Sequence, residues 1–233
     1  MSSRHSSECF TRIIQATVQA FIESNSYSGV HIEDIAQLMK VPKSTVYQYA
    51  QSKSALFDLA ILYADAEAPF DLPEVLPVPV PPPGQTLRTI RARMEEHGRF
   101  ERLRAAIREP AQDTFREMSD IIGDIYDIMS DNRSTVRLLS ASARDQCDIA
   151  AIWYDGARVG LLHLLREYLR GRHAAGVLTP TPSVTIQARM LIETMHWFAV
   201  DRHWDLRPDD LPDELVRDTI VQNLTRGFFG PSG

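Results

Sequence analysis

The amino-acid sequence predicts an all-α protein. Apolar residues recur three and four positions apart along most of the 233 residues, which is the spacing of one helix face. No stretch alternates apolar and polar residues as a half-buried β-strand does, and no internal repeat is present. The apolar content of 44% is sufficient for the core of one or two domains.

The first helix is predicted from about residue 7 to residue 25. Its apolar residues are spaced by four, four and three positions and therefore face a core. This stripe consists of Phe10, Ile14, Val18 and Phe21.

Residues 29–57 predict two short helices joined by a tight turn, followed by the start of a longer helix. The apolar face of the first short helix consists of Ile32, Ile35, Ala36 and Met39. In the second short helix, Val46 and the ring of Tyr47 are predicted on the inner face. Its polar outer face consists of Lys43, Ser44, Thr45, Gln48 and Tyr49. A helix that exposes hydrogen-bond donors and a cation in this way suits the major groove of DNA.

This segment resembles the helix-turn-helix of TetR-type transcriptional regulators. The matching residues are Ile35, Ala36, Val41, Val46, Tyr47, Tyr49, Ser52, Lys53 and Leu56. The resemblance implies that Tyr47, Tyr49 and Lys53 contact DNA phosphates. Thr45 and Gln48 can contact base edges. Lys43 and Ser44 complete the predicted DNA-binding set.

Four positions depart from the family pattern. Lys40 stands where glycine is usual, at a turn residue that tends to need positive φ. Pro42 replaces a serine N-cap, which is tolerated because the first N–H groups of a helix lack internal partners. Ala50 replaces a phenylalanine, so neighbouring residues must fill its volume. His31 is a weak N-cap for the first short helix.

A further helix is predicted after Ser52, through about residue 67, and the family resemblance makes it the link between two domains. Residues 69–84 hold seven of the fourteen prolines and predict an extended connector. The connector is expected to pack over the regulatory domain, and a ligand for a proline-recognition module is the alternative.

The remainder of the chain predicts helices separated by short breaks. Their approximate ranges are 86–99, 100–108, 113–130, 132–143, 149–172, 183–203 and 213–229. The family resemblance implies that the last two form a homodimer interface, and both are apolar on the faces that such an interface needs. We therefore expect a three-helix DNA-binding domain at residues 1–53. Residues 54–233 are expected to form a helical ligand-binding and dimerisation domain.

The family resemblance also implies a small-molecule effector between the regulatory helices. Several large side chains are candidates for lining this pocket, and each is also compatible with an ordinary core position. The candidates are Met118, Ile122, Tyr126, Met129, Trp153, Arg158, His163 and Trp197. For Arg158, the alternative is a salt bridge to a neighbouring acid.

The distribution of charge favours DNA binding through one end of the protein. All three lysines, Lys40, Lys43 and Lys53, lie in residues 1–53, which carry a net charge of +1. The other 180 residues carry a net charge of −7. An acidic body with a locally basic tip can contact DNA only through that tip.

Other functional classes lack their sequence signatures. No nucleophile elbow, glycine-rich phosphate loop or cofactor motif is present, so we expect no enzymatic activity and no cofactor. Cys9 and Cys147 have no metal-binding spacing, and His196 and His203 are too far apart along one helix to share a metal. The absence of a long apolar run and of a signal core predicts a cytoplasmic protein with no membrane span.

The sequence thus predicts a ligand-responsive transcriptional regulator, with a repressor as the first expectation. Such a protein would bind a palindromic operator as a dimer and be released by a small-molecule effector. The alternative is a transcriptional activator, or an adaptor that senses a ligand or a partner without repressor activity.

Overall fold

The computed structural model describes residues 3–109, 112–207 and 210–229. Within these ranges the secondary structure is helical, without a strand, which confirms the predicted fold class. The helices are α1 (Ser3–Ser24), α2 (Ile32–Met39), α3 (Lys43–Tyr47), α4 (Lys53–Tyr63), α5 (Gln85–His97), α6 (Glu101–Arg108), α7 (Thr114–Asp131), α8 (Arg133–Ser142), α9 (Cys147–Ala150), α10 (Val159–Ala174), α11 (Val184–Ala199) and α12 (Asp213–Arg226). None of them is both long enough and apolar enough to cross a membrane.

The chain divides into two compact units. The first comprises Met1–Glu95 and Ser134–Tyr154, and the second comprises Glu96–Arg133 and Asp155–Gly233. The predicted boundary between residues 53 and 54 does not coincide with a boundary of these units, and the assignment of functions to the two predicted domains stays a prediction.

In the first unit, α1 packs against α2 and α4. Its apolar stripe enters the core as predicted, because Phe10, Ile14 and Phe21 are at most 1% exposed. Polar groups fix the helix ends. The Ser52 hydroxyl accepts a hydrogen bond from the N–H of Ala55 at 3.1 Å, which satisfies one of the unpaired donors at the start of α4.

In the second unit, α7 packs against α11 and α12, and α10 packs against α6 and α11. One ion pair is buried among the apolar side chains of these helices. The Arg172 guanidinium donates to Glu117 Oε1 at 2.5 Å and to the carbonyl of Ala106 at 2.9 Å. The Tyr168 hydroxyl donates to the same Glu117 oxygen at 3.0 Å. Burial and the adjacent carboxylate raise the pKa of Tyr168, so the hydroxyl stays a neutral donor.

Two predicted helices are less regular than expected. The helix predicted at 149–172 is divided into α9, a π-helical segment at Ala151–Arg158, and α10. Gly156 lies in the π segment and has a low propensity for regular α-helix. The helix predicted at 183–203 ends at Ala199 and is followed by a 3-10 turn at Asp201–Trp204.

The proline-rich connector packs on α1 and α4 within the first unit. It was expected over the regulatory domain, and its contact with α1 lies outside that predicted domain. Phe70 is 5% exposed and joins a core cluster with Phe10, Ile14 and Leu59. The apolar side chains of the connector outweigh its proline content, because their burial against α1 and α4 removes them from water.

Candidate nucleic-acid interface

The turn between α2 and α3 is a Schellman motif. Lys40 has φ 57° and ψ 45°, the left-handed conformation that its place in the sequence pattern predicts. The N–H of Lys40 bonds to the carbonyl of Gln37, and the N–H of Val41 bonds to the carbonyl of Ala36, both at 3.0 Å. These bonds satisfy two carbonyls at the end of α2. Lys40 thus takes the role of glycine, at the energetic cost of a Cβ in this region.

The recognition helix, α3, begins after Pro42. Pro42 has φ −60° and ψ 145°, and its carbonyl accepts from the N–H of Thr45 at 2.9 Å. Val46 in the helix and Ala50, three residues after its end, are both 0% exposed and anchor the helix in the core. The proline N-cap predicted from the sequence is therefore present, and it fixes where the helix starts.

Tyr47 and Tyr49 each face the side opposite to the one predicted. Tyr47, which was predicted to face inward, is 40% exposed, so that prediction is wrong. Tyr49, which was predicted on the outer face, is half-buried and stacks on Phe10 with ring centroids 6.3 Å apart. The reason is helical spacing, since Tyr49 follows the buried Val46 by three positions whereas Tyr47 follows it by one. Burial raises the pKa of Tyr49 to about 12.

The other predicted base-reading side chains lie at the surface. Lys43, Ser44 and Gln48 are exposed, and Thr45 is half-buried. Together with Tyr47 they form one polar, solvent-facing surface on a helix whose opposite edge is buried. Contacts from these residues to DNA stay a prediction.

The lysine at the start of the recognition helix is paired within the protein. Lys43 Nζ lies 2.5 Å from Glu33 Oε1, and both side chains are more than half exposed. The hydrogen bond between them raises the pKa of Lys43 and lowers the pKa of Glu33. Glu33 therefore competes with a DNA phosphate for this cation.

Lys53 is also engaged by the protein. Its ammonium lies 3.2 Å from the carbonyl oxygen of Tyr27, 3.4 Å from that of Ser28 and 3.0 Å from that of Val30. It also lies 4.7 Å from the centroid of the Tyr27 ring. Lys53 thus holds the loop between α1 and α2. If Lys53 also contacts a DNA phosphate, it must do so while keeping these bonds.

Asp145 holds the same loop from its other side. Its carboxylate accepts hydrogen bonds from the Ser26 hydroxyl at 2.7 Å, the Tyr27 N–H at 3.0 Å and the Ser28 N–H at 2.6 Å. Burial alone would raise the pKa of Asp145, but these bonds outweigh it and lower the pKa to about 2. The sequence carries no local signal for this contact, because Ser26 and Asp145 are 119 positions apart.

The predicted pocket residues are divided between the two units. Trp153 belongs to the first unit, where it is 6% exposed and its indole N–H has no hydrogen-bond partner. In the second unit, α7 carries Met118, Ile122 and Tyr126, each at most 2% exposed, and the half-buried Met129.

The remaining predicted pocket residues lie in the second unit and are more accessible. His163 is exposed, and Trp197 is 41% exposed. Arg158 donates to both oxygens of Glu193 at 2.8 and 2.9 Å, which is the salt bridge considered as its alternative role.

A groove of about 260 Å³ lies on a different face of α7 from the predicted pocket residues. Its apolar wall consists of Phe100, Leu103, Ile121, Ile125 and Ile128. Carboxylates line its rim, and two of them are already paired, Asp124 with Arg102 and Asp127 with Arg217. The periodicity of α7 could have indicated this face, since Ile121, Ile125 and Ile128 are four and three positions apart.

Comparison with known proteins agrees with this geometry. Residues 13–60 match the family model of bacterial regulatory proteins of the tetR family. A search of curated protein sequences finds no match.

Solved structures are similar to this chain at low sequence identity. A candidate fatty acid metabolism regulator of Clostridium perfringens is 14% identical, with 94% of this chain and 99% of that chain covered and a TM-score of 0.51. The fatty acid degradation regulator FadR of Bacillus halodurans is 16% identical, with 94% and 95% covered and a TM-score of 0.50. A candidate TetR-family transcriptional regulator of Mesorhizobium loti is 15% identical, with 99% and 100% covered and a TM-score of 0.46.

The family match spans α2 and α3 and reaches into α1 and α4, the helices that build the Schellman turn and the exposed recognition helix. On this evidence residues 13–60 form an N-terminal helix-turn-helix domain of the kind found in bacterial regulatory proteins of the tetR family.

Proposed function

We propose that the protein is a dimeric repressor that binds a palindromic operator and is released by a small-molecule effector. The observation that carries the proposal is the recognition helix, which is anchored by buried Val46 and Ala50 and exposes a polar surface. A short helix mounted in this way can enter the major groove without losing its contact with the core.

Individual side chains are assigned by their chemistry and exposure. Gln48 is exposed and can form two hydrogen bonds with an adenine, and Thr45 and Ser44 can contact base edges. Lys43 and Tyr47 are suited to phosphate oxygens, which fix the register of a protein on DNA. For Tyr49 and Lys53, phosphate contact is proposed only through the parts of their side chains that the core and the α1–α2 loop leave accessible.

Dimerisation is proposed through α11 and α12. Ile186 and Met190 are each 63% exposed, and Trp197 is 41% exposed. These residues are four and seven positions apart, so they lie on one face of α11. On α12, Leu215 is 55% exposed. Large apolar side chains exposed on adjacent helices support burial against a second copy of the chain.

A dimer with two-fold symmetry requires half-sites about 34–36 Å apart, one helical turn of DNA. The effector is proposed to bind among the regulatory helices and to favour a conformation with a different separation of the two recognition helices. A difference in affinity of about 1–3 kcal/mol between the two conformations is enough for such coupling.

An electrophoretic mobility assay with the DNA upstream of the protein's own gene tests the proposal. We expect a retarded complex at low salt whose affinity falls as salt rises, because phosphate contacts release counterions. Transcription from the same DNA in vitro then separates a repressor from an activator. No retardation even at low salt would refute DNA binding through this helix.

Single substitutions then test which side chains contact base edges and which contact phosphates. We expect Gln48→Ala to relax the preference at one base position, because Gln48 is assigned to a base edge. Tyr47→Ala should weaken binding to all sequences alike, because phosphate contacts carry no sequence information. Gln19→Ala, on the exposed side of α1, is the matched control and should leave binding unchanged. Equal loss of preference in the Tyr47 and Gln48 variants would contradict this division of roles.

A further inference from the structure

The proline-rich connector, residues 69–84, is tied to the DNA-binding helices at two places, and we refer to it as the strap. Its first attachment is to α1. The Ser7 hydroxyl donates to the carbonyl of Phe70 at 2.7 Å, and the N–H of Phe70 donates to the Thr11 hydroxyl at 2.9 Å. The Phe70 ring lies in the core cluster with a centroid 4.8 Å from that of Tyr63. This end of the strap is thus fixed by both backbone and side chain.

The second attachment is to the segment that directly follows the recognition helix. The N–H of Val78 donates to the carbonyl of Tyr49 at 2.8 Å, and the N–H of Gln51 donates to the carbonyl of Val78 at 2.9 Å. The two bonds flank Ala50 and form an isolated parallel bridge between Ala50 and Val78. One strap residue therefore satisfies the backbone on both sides of Ala50.

The sequence around Val78 is suited to this single point of pairing. Pro77 and Pro79 have no N–H group, so Val78 supplies the only backbone donor among these three residues, and it is used. The prolines also restrict φ, which lowers the entropy that the strap loses when it is held in place. A strap of this composition stays extended, so Val78 forms its two backbone hydrogen bonds with little loss of conformational entropy.

Ala50 is the residue next to the helix-turn-helix that pairs with the strap. It is 0% exposed, at the position where the family pattern has a phenylalanine. Val78 and Leu72 of the strap pack against the same cluster as Tyr49. The small side chain at position 50 leaves room for the close approach of the Val78 backbone, which the two hydrogen bonds on either side of Ala50 show.

We propose that the strap is a positioning element for DNA recognition, with Val78 as its positioning residue. Val78 fixes the backbone of residues 49–51, so the end of the recognition helix cannot shift relative to α1 and α4. The inference rests on the proposed function, because it concerns the orientation of a helix that enters DNA. Preorganisation of this kind raises affinity for the specific site, where several side chains must be aligned at once. Non-specific binding needs less alignment because it depends on phosphate charge alone.

The test substitutes single residues of the full-length protein and measures DNA binding and backbone protection separately. Val78→Pro removes the N–H that bonds to Tyr49 and keeps an extended backbone. The matched control is Val80→Pro, which adds a proline at an exposed position of the same strap. Val78→Ala, which keeps the N–H, is the second variant.

We expect Val78→Pro to weaken binding to the specific site about tenfold while binding to non-specific DNA changes less than about twofold. The affinities of Val80→Pro and Val78→Ala for the specific site and for non-specific DNA should stay within about twofold of those of the original protein. Circular dichroism establishes that each variant is folded at the assay temperature. A purely structural role would lower the folded fraction and reduce specific and non-specific binding together, which would overturn the inference.

Amide hydrogen exchange of Gln51 tests the attachment without DNA. We expect slow exchange in the original protein and in Val78→Ala, and fast exchange in Val78→Pro. Fast exchange in the original protein would overturn the inference, as would unchanged specific binding in a Val78→Pro variant whose Gln51 amide exchanges fast. If the original protein binds no DNA while Gln51 is protected, the proposed function has failed rather than the attachment, and a role for the strap in DNA recognition falls with it.

Discussion

The carboxylate of Asp145 stabilises the loop between α1 and α2, and its replacement by asparagine should destabilise the protein in a pH-dependent way. In the native protein the carboxylate accepts three hydrogen bonds, from the Ser26 hydroxyl and from the N–H groups of Tyr27 and Ser28. Asp145→Asn keeps the size of the side chain and removes its charge. The bonds that remain are weaker because they are no longer charge-assisted.

The pKa of Asp145 gives the magnitude of this effect. The fall from 3.8 to about 2 corresponds to about 2.4 kcal/mol of preferential stabilisation of the charged form. The side chain is solvent-exposed, so screening reduces the expected contribution to about 1 kcal/mol. We expect Asp145→Asn to lower the free energy of unfolding at pH 7 by about this amount.

The pH dependence has a definite sign. The native state lowers the pKa, so the contribution of Asp145 is fully present above pH 4 and is lost as the pH falls from about 4 towards 2. The assay is urea denaturation of both proteins from pH 7 to pH 3, with the difference in unfolding free energy plotted against pH. We expect the difference to be constant down to about pH 4 and to shrink below it.

The control is Glu74→Gln, which removes an exposed carboxylate from the strap. We expect it to change the free energy of unfolding by less than about 0.5 kcal/mol at every pH. Equal stability of Asp145→Asn and the original protein at pH 7 would refute the account of the loop. A difference that persists undiminished at pH 3 would show that the effect does not come from the charge.

Three further substitutions have defined outcomes. Arg172→Met leaves Glu117 buried without its cation and should lower the free energy of unfolding by about 3–5 kcal/mol in urea denaturation, whereas adding Glu117→Leu should recover much of the loss. Lys40→Gly relieves the left-handed conformation and should raise the unfolding free energy by about 1 kcal/mol, so a loss would contradict the Schellman turn. Glu33→Gln frees Lys43 and should tighten DNA binding and steepen its salt dependence by about one charge, measured by fluorescence anisotropy at several salt concentrations. An unchanged slope would show that Glu33 does not compete with DNA phosphate for Lys43.

The parts of the fold that local rules determine were predictable from the sequence. Helix positions follow from apolar spacing, and the apolar stripe on α1 is buried as predicted. The left-handed Lys40 and the proline N-cap at Pro42 follow from turn chemistry, because each depends on a few neighbouring residues.

The contacts between distant residues were not predictable in this way. Asp145 and the strap reach the N-terminal helices from far along the chain, and no periodicity marks their partners. Tyr47 was predicted on the inner face and Tyr49 on the outer face, whereas the burial of each ring depends on its spacing from the buried Val46. Lys53 matches the family pattern, but its contacts with the carbonyl oxygens of Tyr27 and Val30 were not predictable, because the sequence does not indicate where the α1–α2 loop lies.

Selection of bound sequences from a pool of random double-stranded DNA tests the central claim most directly. The account predicts enrichment of one two-fold symmetric sequence whose half-sites are about one helical turn apart. It also predicts that Gln48→Ala broadens the selected sequence at one position in each half-site. No enrichment, even at low salt, would contradict the claim that this chain is a dimer that reads DNA with its recognition helix.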